Sequence, residues 1–525
     1  MTMKFVLFIC FLITFIVCCS SETTTNSTIN GWCTRTPHYQ TCDHYVAQRN
    51  TSNATLTLDQ FLDTTVQAAI EEAQVVLKLA QEIESKYPNV PGKSLWGSCV
   101  DYFDGIVFTL NTVLDKTLGQ PTLLDAQTWL SAGLAYINLC EKGFELIHKT
   151  ESMLPLLSTN LTQLILNSLA ISVANDTHHD TPSFVHWNCS EELINRLPMK
   201  EEKPNAVVAQ DGSGDFKTIQ DAVDAAGYGG RRSKRYVIYV KAGVYEEHVD
   251  IPNAVKYIKM FGDGINKTII TGDRHAGGDT LLTAKAGDLK DSATFTVYGR
   301  GFIATDMTFR NTAGPENGQA LAFLSGSDQS VLYRCSIEGY QDTLLTHHSR
   351  QFYKECQIFG TVDFIFGGAL AVFQDCDIFF RKPLPGGGLV VTAQGRKFLN
   401  ESGGYMLQGC KITAADDLKP IIGQYDKAFL GRPWFAYART IYMESFIDDL
   451  VDPQGWLDSW NYKETAYCGE YKNNGPGSST DDRVKWPHYQ AITDPKIAER
   501  YTLARFMSGD KWLPATGVPF IPGFE

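Results

Sequence analysis

Four short segments of this chain, VLYRCSI, FYKECQI, VFQDCDI and YMLQGCKI, each place a cysteine two residues before an isoleucine. The cysteines are Cys335, Cys356, Cys376 and Cys410, so successive steps are 21, 20 and 34 residues. A period near twenty with one strand-like motif per period points to a solenoid. The motifs are rich in Val, Ile, Phe and Tyr, which suit a pleated, half-buried surface, and no helical pattern separates them. That favours a right-handed parallel β-helix over a leucine-rich repeat. The long third step carries PLPGGGLVVTAQGRKFLNESGG, whose glycines predict a loop.

The repeat gives two polar motifs a common phase. Gly339-Tyr-Gln-Asp342 and Gly360-Thr-Val-Asp363 are both Gly-x-x-Asp, and each Asp lies seven residues after a cysteine. Residues one turn apart in a β-helix stack, with neighbouring strands roughly 4.7–4.9 Å apart. Asp342 and Asp363 are therefore expected as neighbours on one exposed ladder. Gln341 adjoins them, and Gln319, 22 residues before Gln341, falls on the preceding turn. Asp and Gln also decorate solvated turns, but two stacked carboxylates repel, which makes a purely structural use odd. One pKa rises and the other stays low, giving an acid beside a base or nucleophile. A retaining glycosidase uses such a pair. The two glutamines point instead to acyl transfer, where side-chain amides stabilise an oxyanion. Neither Gly-x-Ser-x-Gly nor His-Glu-x-x-His occurs, which counts against a serine esterase of the usual kind and a zinc hydrolase.

The chain before this region has another grammar. From Leu58 to about Ala174 apolar residues recur at helical spacing, as in LDQFLDTTVQAAIEEAQVVLKLAQEI, with further helical stretches near 98–118, 124–149 and 153–174. Four such stretches predict an all-α four-helix bundle. Cys33, Cys42, Cys99 and Cys140 suit two disulfides, and spacing leaves all three pairings open. No catalytic constellation is visible here. Residues 181–205 mix Pro, charge and a glycosylation sequon, as a linker does.

The N-terminus reads as a secretory signal over residues 1–21: Lys4, an apolar run from Phe5 to Val17, then small residues. No later stretch reads as a membrane span. Asn-x-Ser/Thr sequons at Asn26, Asn50, Asn53, Asn160, Asn175, Asn188, Asn266 and Asn400 support a glycosylated, secreted protein. The domain expectation is thus a signal peptide at 1–21, a bundle at 22–180, a linker at 181–205 and a β-helix at 206–525. Of the net charge of −13, residues 1–200 contribute −8 (11 basic, 19 acidic) and residues 201–525 contribute −5 (35 basic, 40 acidic). Neither half has the basic excess of a nucleic-acid binder. The run Arg231, Arg232, Lys234, Arg235 reads as a solvated loop.

GYQDTL, RQFY, GTVDFIFG, VTAQGR and FLGRPW resemble the motifs of plant pectin methylesterases. CTRTPHYQTC and TWLSAGLAYINLC resemble the inhibitor domain that many of them carry as a pro-region. The resemblance spans nearly the whole mature chain. It implies hydrolysis of the methyl esters of pectin in the plant cell wall, with Asp363 as nucleophile, Asp342 as general acid and then base, and Gln319 and Gln341 as oxyanion donors. Arg432 would hold Asp363 ionised. Gln319, Arg432, Trp434 and Phe366 would contact substrate. It further implies a Cys356–Cys376 bridge between adjacent turns, a monomer, an inhibitor-like region acting in cis, and no metal or other cofactor. Leu345 stands where the family usually has Tyr, and Leu289 where it usually has a substrate-contacting Thr. Another β-helix pectin enzyme, or a pectin-binding protein with a degenerate site, remains the alternative.

Overall fold

The computed structural model describes residues 26–47, 55–86, 93–118, 121–146, 154–174, 203–227, 235–276, 286–287, 289–425, 428–458 and 461–524. The signal segment, the sequons at Asn50, Asn53, Asn175 and Asn188, residues 181–202 of the linker, and Arg231, Arg232 and Lys234 lie outside them.

The helical region forms α1 (Ile29–Cys33), α2 (Tyr39–Ala47), α3 (Leu58–Lys86), α4 (Lys93–Leu114), α5 (Leu123–Leu146), α6 (Leu154–Leu157) and α7 (Leu161–Ala174). On α3, Phe61, Thr65, Ala69, Ala73, Val76 and Ala80 recur every three or four residues and are buried, so one stripe faces the core. α3 packs on α4 and α7, and α5 packs on the same two helices. This closes a four-helix bundle. Gly105 permits a close α4–α5 approach, since a Cβ there would lie 2.5 Å from the Tyr136 ring. The cysteines pair in sequence order: Cys33–Cys42 pins α1 to α2, and Cys99–Cys140 pins α4 to α5. One stretch is more apolar than expected. Pro155–Val173 is long and apolar enough to cross a membrane by length and composition, but Leu161, Leu164, Ile165, Leu169 and Ile171 spend that character inside the bundle core.

After residue 205 the chain coils into three parallel sheets of 11, 7 and 8 strands, a right-handed parallel β-helix. The cysteine repeat marks one corner. Ser336, Gln357, Asp377 and Lys411 stand in register, and so do Ile337, Ile358, Ile378 and Ile412. Just before each cysteine, Arg334, Glu355, Asp375 and Gly409 adopt positive φ, which turns the chain from the 11-stranded sheet into the 8-stranded one. The interior is a continuous stack of buried apolar side chains. At its N-terminal end, Ile219, Ala222, Val223 and Ala226 of the helix Ile219–Ala226 join this stack, covering an otherwise open edge.

Two expectations change here. The glycine-rich insertion contains a strand, Val390–Gln394, because the seven-stranded sheet draws one strand from each of the turns it spans. Cys356 and Cys376 are free thiols, so the expected bridge between them is absent. Each thiol instead lies within hydrogen-bond reach of carbonyls: Cys356 of Leu332 and Lys354, Cys376 of Tyr353 and Gln374. The stacked thiols are buried in the core, and backbone carbonyls satisfy them there.

The bundle covers the outer face of the seven-stranded sheet. One apolar cluster runs from the bundle interior through Leu289, Leu321, Leu324, Leu345, Phe366 and Ala393 of the β-helix. α5 supplies most of the polar seam. Trp129 Nε1 donates to Asp328 Oδ2 at 3.2 Å, Ser402 N donates to Ser131 Oγ at 3.0 Å, and His347 Nε2 lies 3.2 Å from Ala135 O. Arg350 is buried and binds Asp125 of α5 and Asp328 of its own domain at 2.8 and 2.7 Å. A charge removed from water this completely needs such pairing.

Candidate active site

Asp342 sits two residues ahead of the strand Leu344–Thr346, and Asp363 sits at the irregular start of the adjacent strand Val362–Gly367 in the seven-stranded sheet. Both adopt the left-handed conformation, φ +59° and +52°, which Asp tolerates better than most residues. The glycines three residues earlier are explained by crowding. A Cβ on Gly339 would lie 2.7 Å from Thr343 Oγ1, and one on Gly360 would lie 2.1 Å from Phe364 Cβ. The repeated Gly-x-x-Asp is therefore a tight corner that presents a carboxylate twice at one phase. Asp342 N donates to Val362 O at 3.2 Å, tying the two corners together.

The expected stacking is present, and so is the third turn: Gln319 and Gln341 are paired in a parallel bridge. The ladder is not exposed, however. Asp342 and Asp363 are 3% and 8% accessible, and each has a side-chain partner, Gln319 or Arg432. Gln319 Nε2 donates to Asp342 Oδ2 at 2.7 Å. Arg432 grips Asp363 with two donors, Nε to Oδ1 at 2.7 Å and Nη2 to Oδ2, the fork geometry that favours a carboxylate.

These partners separate two otherwise similar acids. Burial raises Asp342 well above the usual carboxylate range, and the neighbouring Asp363 charge raises it further against Gln319 and Arg432. Burial also leaves Asp363 raised on balance, but the hydrogen bonds and charge of Arg432 offset part of the rise. The unlike partners thus favour the proton on Asp342 over Asp363.

Phe366 follows Asp363 on its strand and meets Trp434 edge-to-face at 5.5 Å between ring centroids. Trp434 also lies 5.0 Å from Phe435. Together they make an aromatic wall on the face that the bundle covers. Leu345 and Leu289 are buried there as well. Sequence reading did not find the docking residues Asp328, His347, His348, Arg350, Lys397 and Glu401. The His347–His348 doublet inside the aspartate-bearing stretch was the one visible signal.

Residues 205–510 match the pectinesterase family model, and residues 27–171 match that of plant invertase/pectin methylesterase inhibitors. The chain belongs to the pectinesterase family. It is 44% identical over 504 residues to "Pectinesterase 2" of Citrus sinensis, covering 94% of each chain. It is 39% identical to "Probable pectinesterase/pectinesterase inhibitor 17" of Arabidopsis thaliana, covering 98% of this chain and 99% of that one. The solved pectin methylesterase from carrot superposes with a TM-score of 0.58 at 44% identity, over 61% of this chain and 98% of its own. The protein is thus a carboxylic ester hydrolase that de-methylesterifies pectin, with a fused inhibitor-type domain.

Proposed function

We propose that the reaction runs through an aspartyl ester-exchange mechanism. The Asp363 carboxylate attacks the methyl-ester carbonyl carbon, and Gln319 and Gln341 donate hydrogen bonds to the resulting oxyanion. Collapse breaks the bond to the methoxy oxygen, Asp342 delivers its proton there, and methanol leaves. An anhydride then joins Asp363 to the uronate. Asp342, now a carboxylate, takes a proton from water as the water attacks the uronyl carbon. Release of the free acid restores ionised Asp363 and protonated Asp342. The observation that carries this reading is the unlike partnering of two stacked acids, Gln319 on Asp342 and a two-donor Arg432 on Asp363. Trp434 and Phe366 offer flat faces to the sugar rings, and the scheme requires neither metal nor cofactor.

The chain would act as a monomer in the plant cell wall, reached by secretion with the 1–21 segment removed and some sequons glycosylated. Asn266 is exposed and so open to a glycan. The bundle would inhibit in cis until cleavage within 190–206 frees it. The shared apolar cluster supports this, since it places bundle side chains and Phe366 in one core. Methanol release from esterified pectin tests both parts, comparing the uncut chain, the chain cut in the linker with its bundle removed, and the cut chain carrying Asp363→Asn. Equal release from cut and uncut protein would reject inhibition. Undiminished release from the variant would reject the nucleophile.

A further inference from the structure

The β-helix half of the chain is net acidic, yet the face it turns to the bundle is lined with cations. Lys256 lies 4.8 Å from the Phe108 ring centroid, and Arg300 lies 5.5 Å from that of Trp129. Arg300 and Arg350 are both held by Asp328 of their own domain. Arg350 also binds Asp125 of the bundle, and two lysines each take a bundle carboxylate as well. Lys397 Nζ is 2.8 Å from Glu141 Oε2 on α5, and Lys290 Nζ is 2.5 Å from Asp101 Oδ2 on α4.

The setting of Lys397 is chemically distinctive. Its ammonium lies 5.5 Å from the Phe435 ring centroid, and Phe435 abuts Trp434 of the aromatic wall. A flat apolar surface beside a fixed ammonium suits a sugar ring that bears a carboxylate. Lys290 precedes the strand Phe295–Val297, and Lys397 follows the strand Val390–Gln394. These two strands are four steps apart in the seven-stranded sheet, with the strands of Asp342 and Asp363 between them. At the usual strand spacing the separation is roughly 19 Å. Along the stacking direction of the sheet the lysines therefore flank the carboxylate pair, Lys290 at the leading end of its strand and Lys397 at the trailing end of its own.

We propose that Lys397, with Phe435 beside it, and Lys290 bind the free carboxylates of already de-esterified uronate residues, and that Glu141 and Asp101 occupy these sites as carboxylate stand-ins while the bundle is docked. The inference rests on the pectin reading above for the identity of the polymer. It adds that the chain recognises its own product on either side of the reacting ester, and that product competes with the bundle for the same cations. Each contact is an ion pair of the kind that salt weakens when it is solvent-accessible.

The test uses the whole chain with a protease site built into 181–205, nicked so that the bundle stays on by contact alone. A fully de-esterified oligogalacturonate is titrated in, and bundle release is followed by size-exclusion chromatography. The expected result is release at concentrations where the fully methyl-esterified oligomer of equal length releases at least tenfold less. Equal release by both oligomers, or by neither, overturns the proposal. The second measurement uses the nicked protein after its bundle is removed. The carrot enzyme, which this part of the chain matches over 98% of its length, shows that such a part is a complete fold. Lys397→Met should raise the inhibition constant of the de-esterified oligomer about tenfold and Lys290→Met by less, both leaving KM for fully esterified pectin within about twofold. An unchanged inhibition constant in both variants overturns the proposal. Displacement needs no turnover, so a chain that released no methanol would reject the mechanism above and leave this result readable.

Discussion

The bundle buries apolar residues every three or four positions and is pinned by two disulfides. The β-helix buries its interior positions turn upon turn, and none of its described cysteines is bridged. The difference follows from how each part meets water. A small bundle with one helix-sized core gains from cross-links that limit its unfolded chain. A solenoid gains a neighbouring turn for every turn added, so cooperativity comes from stacking. The comparison extends to function. Stacking can repeat a carboxylate at one phase and so create the Asp342–Asp363 pair, whereas the bundle offers a docking surface.

The largest effect should come from breaking the chemistry on the solenoid side. Asp363→Asn is expected to lower methanol release about 10⁴-fold or more, some 5.5 kcal/mol of barrier. The helical circular-dichroism signal and melting of the bundle should not change. Loss of bundle structure in that variant would mean that the two regions fold as one unit and that the comparison is wrong.

Opening the bundle instead should leave the chemistry in place. Replacing Cys99 and Cys140 together by Ala frees a loop closed over a sequence separation of 41. Chain entropy sets the cost at about 4 kcal/mol. Denaturant unfolding of the cut, separated bundle reads this directly. In the intact chain the same change should raise basal methanol release, since a loosened bundle covers the face less of the time.

Two titrating groups at the seam act with opposite sign. Glu401 is buried in the loop that carries Lys397 and Ser402, and burial pushes it up to about 7 against two backbone donors. The folded chain then holds a proton that the unfolded chain has lost, so its contribution is complete below the ordinary Glu range and fades as pH rises through about 7. His347 lies under α5, and burial holds it down to about 4, against the hydrogen bond to Ala135 and with Lys290 nearby. His348, Tyr102, Tyr136 and Tyr298 pack around it. Its contribution is complete above the ordinary His range and fades as pH falls through about 4. Each limb is worth up to roughly 3 kcal/mol. The two windows overlap and largely cancel, so the stability of the whole chain to denaturant should be nearly flat across about pH 5–6 and fall slightly on either side. Glu401→Gln should flatten the alkaline limb and His347→Gln the acid one.

The smallest effect sharpens the seam itself. Leu345 is fully buried in the cluster that joins the two regions. Leu345→Tyr adds volume and a hydroxyl to that packing, for a cost of about 1–2 kcal/mol. Bundle retention should fall severalfold, while the melting of the separated β-helix part stays within about a degree. Retention equal to that of the parent chain would place Leu345 outside the docking contact.

Periodicity determined much of this protein. The cysteine–isoleucine repeat specified a parallel stack, because a one-residue slip would turn core side chains outward. The same period put Asp342, Asp363, Gln319 and Gln341 on adjacent turns, and helical spacing marked all four bundle helices. Tertiary structure decided what period cannot encode. The order of disulfide pairing depended on which helices adjoin. The strand Val390–Gln394 was hidden among glycines because its partners lie in other turns. The pairing of Asp363 with Arg432 joins residues 69 apart, and sequence spacing alone does not fix so distant a contact. The docking seam was the least legible of all. Asp125, Trp129 and Glu141 look like ordinary members of an amphipathic helix, and Arg350, Lys397 and Glu401 look like ordinary loop and strand polar residues. Only when two surfaces leave water together does each find the partner that makes its burial favourable.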